Sequence, residues 1–234
     1  MSGSVPADYQ PILRRVGNVL IIVGVLDIGV LIYCILADIG YASSINILAL
    51  IAGWLLRRSR LGAARLVTQA AAFILTAGGG AVLVLVVVGF PPEFWLIYPR
   101  LHPIQFLSLV AVIGALLALL VWILRELRSP PVLQARAAAE RSTSPPRVSF
   151  GLGIALAVLL GVGVFGMQHS APAIKAMSIA GKTFANGYHY VPLGVQRAAG
   201  RTVVRLAAFN KDEIRTMSVD SPTDPAQPGT AGQP

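Results

Sequence analysis

Five apolar runs constrain this chain more than any other feature. They occupy positions 16–37, 44–56, 66–89, 104–124 and 148–167. A helix rises about 1.5 Å per residue, so roughly 20 apolar residues cross a hydrocarbon core about 30 Å thick. Four of the runs reach that length. The second is shorter; extended back to Gly40 it reaches the lower limit for a crossing. Only 12% of the 234 residues are charged, against about 25% in soluble domains. Such a chain is neither disordered nor an ordinary water-soluble domain. The expected fold class is an all-α polytopic membrane protein with five transmembrane helices and a small extracytoplasmic αβββ module.

The basic residues orient the spans. Arg14 and Arg15 precede the first. Arg57, Arg58, Arg60 and Arg65 lie between the second and third. Arg125, Arg128, Arg136, Arg141 and Arg147 lie between the fourth and fifth. The alternate short loops hold Arg100 alone, a bias of eleven to one. Basic loops stay in the cytoplasm, so the N-terminus is expected inside and the C-terminus outside, in the inner (plasma) membrane of a bacterium. The same bias argues that run two crosses rather than dips and returns. Arg14 and Arg15 before an apolar run also open a signal peptide. Positions 16–37, however, exceed a signal's apolar core and lack an A-x-A site, so they read as a retained span. Trp54, Trp95 and Trp122 fall at expected membrane–water boundaries, where an indole buries its ring and keeps its N–H wet. Trp95 has Phe90, Phe94 and Tyr98 beside it.

The chain is expected to divide into a cytoplasmic N-terminus (1–15), a four-helix bundle (16–128), a cytoplasmic linker (129–147), a fifth span (148–167), the outer module (168–220) and a disordered tail (221–234). Ser-Pro-Pro elements at 129–131 and 144–146 mark breaks; positions 132–141 between them suit a short Ala-rich helix. In the module, 172–185 reads as a helix with Ile174, Met177, Gly181 and Phe184 on one face. Three strands follow. Positions 188–196 carry Val191, Leu193 and Val195 in alternation, and Pro192 suggests an edge strand. In 201–209, Thr202, Val204, Leu206 and Ala208 share one face, and Val203, Arg205, Ala207 and Phe209 the other. The third strand is 213–219. Gly200 and Asn210-Lys211-Asp212 supply the turns. About fifty residues without a disulfide bury little surface. The module must therefore lean on the outer loops, the lipid surface, a second copy or a partner subunit.

Chemistry-bearing residues are few. Asp27 lies near the middle of the first span, where a carboxylate costs about 3 kcal/mol. Thr76 lies at a similar depth in the third and has a hydroxyl to donate. Asp27 is either a neutral acid joining two helices or a protonatable group on a proton or cation path; the spans' scarcity of polar residues favours the first. Gly153, Ala157 and Gly161, each four apart, line a shallow helix-packing groove on the fifth span. Positions 77–81, Ala-Gly-Gly-Gly-Ala, permit close packing or a helix irregularity. His102, His169, His189, Asp38 and Glu93 fit no ligand spacing, so no metal is expected. The lone Cys34 excludes an intramolecular disulfide, a cysteine zinc site and a thioether-linked haem. Asp212-Glu213 reads as a solvated turn. Arg128, Arg136, Arg141 and Arg147 suit anionic lipid headgroups. No nucleotide-binding, metalloprotease or serine-hydrolase motif occurs.

The expectation is a non-enzymatic inner-membrane protein without cofactor, whose partners are the bilayer and a protein bound through the outer module, or a second copy; no nucleic acid is implied. The module would serve assembly, scaffolding or stabilisation of a membrane complex. The alternative is a small transporter or channel using Asp27.

Overall fold

The computed structural model describes residues 9–38, 45–183, 187–198 and 201–222. The chain is mostly helical: α1 (Tyr9–Leu36), α2 (Ile45–Arg57), α3 (Leu61–Val84) with a π-helical turn (Leu85–Gly89), α4 (Pro92–Leu101), α5 (Pro103–Leu127), α6 (Pro130–Ala138), α7 (Arg147–Gln168) and α8 (Ala171–Thr183). Three strands complete it: β1 (His189–Ala198), β2 (Arg201–Phe209) and β3 (Ile214–Pro222). Four helical segments are long and apolar enough to cross a membrane: Tyr9–Leu36, Leu61–Gly89, Pro103–Leu127 and Arg147–Gln168. Large apolar side chains stand exposed along them, among them Leu26, Tyr33, Leu107 and Val158. In water such a surface would drive association; lipid tails satisfy it. At 13 residues, α2 spans only about 20 Å. The positions that would lengthen it, 40–43, lie outside the described residues.

The chain divides into two compact units. The first comprises Met1–Gly79 and Gly114–Ala155; the second comprises Gly80–Ile113 and Leu156–Pro234.

In the first unit, α1 and α2 form an antiparallel pair that meets glycine to glycine. A Cβ on Gly17 would lie 2.6 Å from the Gly53 carbonyl oxygen and 3.0 Å from the Arg57 nitrogen; one on Gly53 would lie 2.6 Å from the Gly17 oxygen. Neither position tolerates a side chain, so the two backbones approach as small-residue helix pairs do. The core of this unit includes Leu13, Val16, Leu56, Ala64, Ala72, Ile123, Leu127 and Val132. Alanines on α3 let the helices close together, while leucines from α1, α2 and α5 fill the space.

The α1–α2 crossing brings the end of α2 back to the start of α1. Arginines gather at that end of the unit. The Arg15 guanidinium lies 5.6 Å from the Trp122 ring and 4.0 Å from Glu126; that of Arg58 lies 3.7 Å from the Trp54 ring. Such cation–π contacts hold a positive group against an amphipathic ring. The Arg141 guanidinium fills the place a Gly62 side chain would take. Arg136 is 3% exposed and donates from Nη2 to the Ser142 carbonyl. Burial, and the like charges of Arg65 and Arg128, push its pKa below the usual arginine range.

The Ser-Pro-Pro elements fall at helix boundaries, but they start helices rather than merely ending them. Ser129 is extended and the prolines after it open α6; Pro145 and Pro146 precede α7. A proline in the first turn lacks only an N–H that would be unpaired anyway.

The second unit contains the antiparallel meander β1-β2-β3, with β1 and β3 at the edges. The helix α8 covers one face. Its buried residues are Ala173, Ala176 and Ala180, and two of these pack against Val204, Leu206 and Val219. The expected stripe of Ile174, Met177, Gly181 and Phe184 is therefore displaced. Ile174 and Gly181 are exposed, Met177 is partly buried, and Phe184 lies outside the described residues. Large apolar residues drew the periodicity, whereas the sheet supplies the bulk and selects small residues on the helix. The expected alternation of Val191, Leu193 and Val195 is also corrected. The register shifts between Pro192 and Gly194, leaving Leu193 as the extra residue. Val191 then pairs with Ala207 and Val195 with Val204, on opposite faces. Proline has no N–H for the ladder, and a bulge absorbs the defect. β3 continues to Pro222, pairing Ser221 and Pro222 with β2, so two residues of the expected tail belong to the sheet. Gly200 and residues 223–234 lie outside the described residues.

Candidate functional site

The second unit's other sheet face rests on α4. Residues 90–101 read from sequence as an interfacial aromatic loop; they form a helix opened by Pro92, with Glu93 in its first turn and Arg100 in its last. Both charges suit the helix dipole. His102 precedes Pro103 and leaves the helical region, ending α4 and letting α5 begin at a proline.

Phe94 is the hub of this contact. It stacks on Phe90 at 4.3 Å and on Tyr98 at 5.4 Å, and meets Phe209 of β2 edge-on at 5.4 Å. Phe209 is fully buried and Val191 lies with it. Of the supports a fifty-residue module could use, the segment ahead of α5 is one that it does use. Trp95 ties that segment to α3: its Nε1 donates to the Val86 carbonyl at 3.1 Å, within the π-helical turn. In the same unit the Gln168 amide donates to the Gly89 carbonyl at 2.9 Å. The irregular turn thus has two side-chain donors on its carbonyls.

Beside this aromatic contact lies a cleft of about 590 Å³. From α4 come Glu93, Leu96, Ile97 and Arg100; His189 comes from β1 and Asn210, Lys211 and Asp212 from the β2–β3 turn. The turn is pre-set. The Asn210 side-chain oxygen accepts from the backbone N–H of Asp212 and of Glu213, each at 2.8 Å, and the Asn210 N–H donates to the Glu213 carbonyl at 3.0 Å. This Asx turn leaves Lys211 and Asp212 exposed. The His189 ring lies on Phe209, 5.5 Å between centroids. Next to the turn, the Tyr188 hydroxyl donates to Glu213 Oε1, and Arg215 donates to Oε2 at 2.7 Å. Hydrogen bonding from Tyr188 holds the Glu213 carboxyl below its usual pKa; the same bond raises that of Tyr188.

Two carboxylates, two cations and an imidazole around a cleft of this size make a recognition surface of mixed sign. Among the described residues no three His, Cys, Asp or Glu side chains converge to hold a metal. Each histidine lies against an aromatic ring: His102 near Tyr98, His169 on Phe165 and His189 on Phe209.

The structure distributes the sequence-derived candidates as follows. Thr76 donates to the Ala72 and Phe73 carbonyls of its own helix and faces Gly153 of α7. Its proton is thereby committed locally. Asp27 is half-buried on α1. The small residues of α7 meet α3. In the first unit Gly153 gives room to Thr76; in the second, Ala157 lies against Gly80 and Gly161 against Val84. Trp54 and Trp122 each face an arginine in the first unit, and Trp95 serves the π-helical turn in the second. The sequence reading did not single out Gly17, Gly53 or the cleft. The glycines were an available signal, since each lies seven or four residues from another small buried residue, Gly24 and Ala49. The cleft had none, because its walls are distant in sequence.

No protein-family model, curated protein or solved structure matches the chain.

Proposed function

We propose that the chain is a five-span protein of a bacterial inner membrane that presents its α8–β1–β2–β3 module, outside the cytoplasm, to a protein partner. It acts without catalysis, in the assembly, scaffolding or stabilisation of a membrane complex. The observation that carries this reading is the mixed-charge cleft. Its walls are fixed, by the Phe94–Phe209 contact on one side and the Asx turn on the other, while its charged groups face outward. A preformed rigid rim lowers the ordering cost of binding. Mixed charge favours specificity for a complementary protein surface.

The topology draws support from the first unit. There the end of α2 returns beside the start of α1, and the cytoplasmic set of arginines lies about that end. A short α2 lengthened by positions 40–43 completes the second crossing.

The test combines topology with capture. Reporters fused after Arg15, Arg60, Lys211 and Pro222 should place the first two in the cytoplasm and the last two outside. A photo-crosslinking residue at Lys211, in cells, should give one discrete adduct at a fixed stoichiometry. Glu93→Lys together with Asp212→Lys should abolish it, and a crosslinker at Arg125 should not form it. A cytoplasmic Lys211, or no adduct at any cleft position, would remove the proposal.

A further inference from the structure

The two edges of the sheet are not alike. β1 carries Pro192 and a bulge beside it, features that stop a further strand from adding. β3 pairs nine successive residues with β2 without a shift, from Ile214 opposite Phe209 to Pro222 opposite Arg201. It is straight and has no proline before its last residue. Thr216, Ser218 and Asp220 are exposed on it, and Met217 and Val219 belong to the α8 face. A regular edge of this length is a template for pairing.

We infer that β3 pairs with β3 of a second copy of this chain, antiparallel about a twofold axis through Ser218, to give a six-stranded sheet.

The sequence of β3 selects that occupant and that register. Twofold antiparallel pairing sets residues of the same face opposite one another. The axis therefore passes through a residue: Met217, Ser218 or Val219. About Met217, Ile214 falls opposite Asp220 and Arg215 opposite Val219, which sets apolar groups against charges. About Val219, Met217 falls opposite Ser221 and Thr216 opposite Pro222. About Ser218, Met217 falls opposite Val219 of the second copy, and the reverse, so the α8-side core continues across the junction. On the other face each Thr216 hydroxyl meets the Asp220 carboxylate of the second copy, and Ser218 meets itself. One register thus matches apolar to apolar and donor to acceptor at every central pair. A foreign strand would need no such self-match. The inference concerns the β3 edge and does not rest on the partner reading of the cleft.

The test uses the full chain in lipid nanodiscs or mild detergent, with Cys34→Ser as background. Ser218→Cys places two thiols directly opposite, with Cα atoms about 5 Å apart, inside disulfide range. Mild oxidation should convert most of the protein to a covalent dimer. Arg215→Cys, six residues out of register with its own copy and so about 20 Å away, should stay monomeric. Ser218→Lys sets like charges opposite one another and should halve the mass by light scattering, with tryptophan emission unchanged. The inference falls if the parent chain is a monomer, if position 215 cross-links as efficiently as 218, or if Ser218→Lys leaves a dimer. Each result is read separately from the Lys211 adduct, so failure here leaves the cleft untouched.

Discussion

Replacing Phe209 with alanine should unfold the outer module while leaving the apolar helices intact. Phe209 is fully buried, edge-on to Phe94 and stacked with His189. Phe→Ala at such a site costs about 3–5 kcal/mol. A domain gains about 0.05–0.15 kcal/mol per residue, so a module of some fifty residues holds roughly 3–8 kcal/mol. The loss therefore matches most of the reserve. Limited trypsin digestion in nanodiscs is the assay. Arg215, in β3 of the parent chain, should resist cleavage; in Phe209→Ala it should be cut at least tenfold faster, while fragments containing α1, α5 and α7 persist. Phe94→Ala, which alters no residue of the module, should reproduce the effect. The aromatic pair should show a coupling of about 0.5–1.5 kcal/mol in a double-mutant cycle. Phe209→Leu keeps most of the volume and should lose much less. If Phe94→Ala left Arg215 as resistant as in the parent, the module would stand without α4 and the reasoning would be wrong.

Glu213 has a lowered pKa in the folded hairpin because the Tyr188 hydroxyl hydrogen-bonds to it. Its contribution is fully present above about pH 4.3, the carboxylate value of an unfolded chain, and is lost as pH falls through the lower folded value. Amide exchange of β2 and β3 should accelerate over that acid range, and Glu213→Gln should flatten the dependence. Tyr188, raised by the same bond, mirrors this: its contribution holds below about pH 10 and fades as pH climbs through the folded value. Gly17→Val inserts a side chain where 2.6 Å separates a Cβ from the Gly53 carbonyl oxygen, and should cost about 1–3 kcal/mol; Gly29→Ala, with nothing within 4 Å of the added Cβ, should leave the detergent melting temperature unchanged.

What could be read in advance followed strong periodicities. Strand β2 alternates cleanly, and its two faces are those the structure uses: Val204 and Leu206 under α8, Phe209 on α4. The long helices follow from length and hydropathy. What escaped was set by contacts remote in sequence. Phe94 and Phe209 are 115 positions apart, and neither carries a local sign of the other. The α8 stripe was misplaced because alanine is silent in a hydrophobicity count although it decides how closely a helix lies on a sheet. Leu193 was misassigned because a bulge leaves the composition of a strand unchanged while moving later residues to the other face. Thr76 was read by depth alone, and depth does not reveal that a threonine in a helix can spend its proton on the preceding turn.

The valine run ahead of Phe90 has a consequence for how this chain tolerates length changes. A π-helical turn holds one residue more than the α-helical register requires. Shortening Val86–Val88 by a single valine would relieve that surplus and make the helix itself more regular. It would also swing whatever follows by about 100°, and Phe94 would no longer point at Phe209. An apparently mild deletion in a greasy, repetitive stretch should thus be more disruptive than most substitutions there.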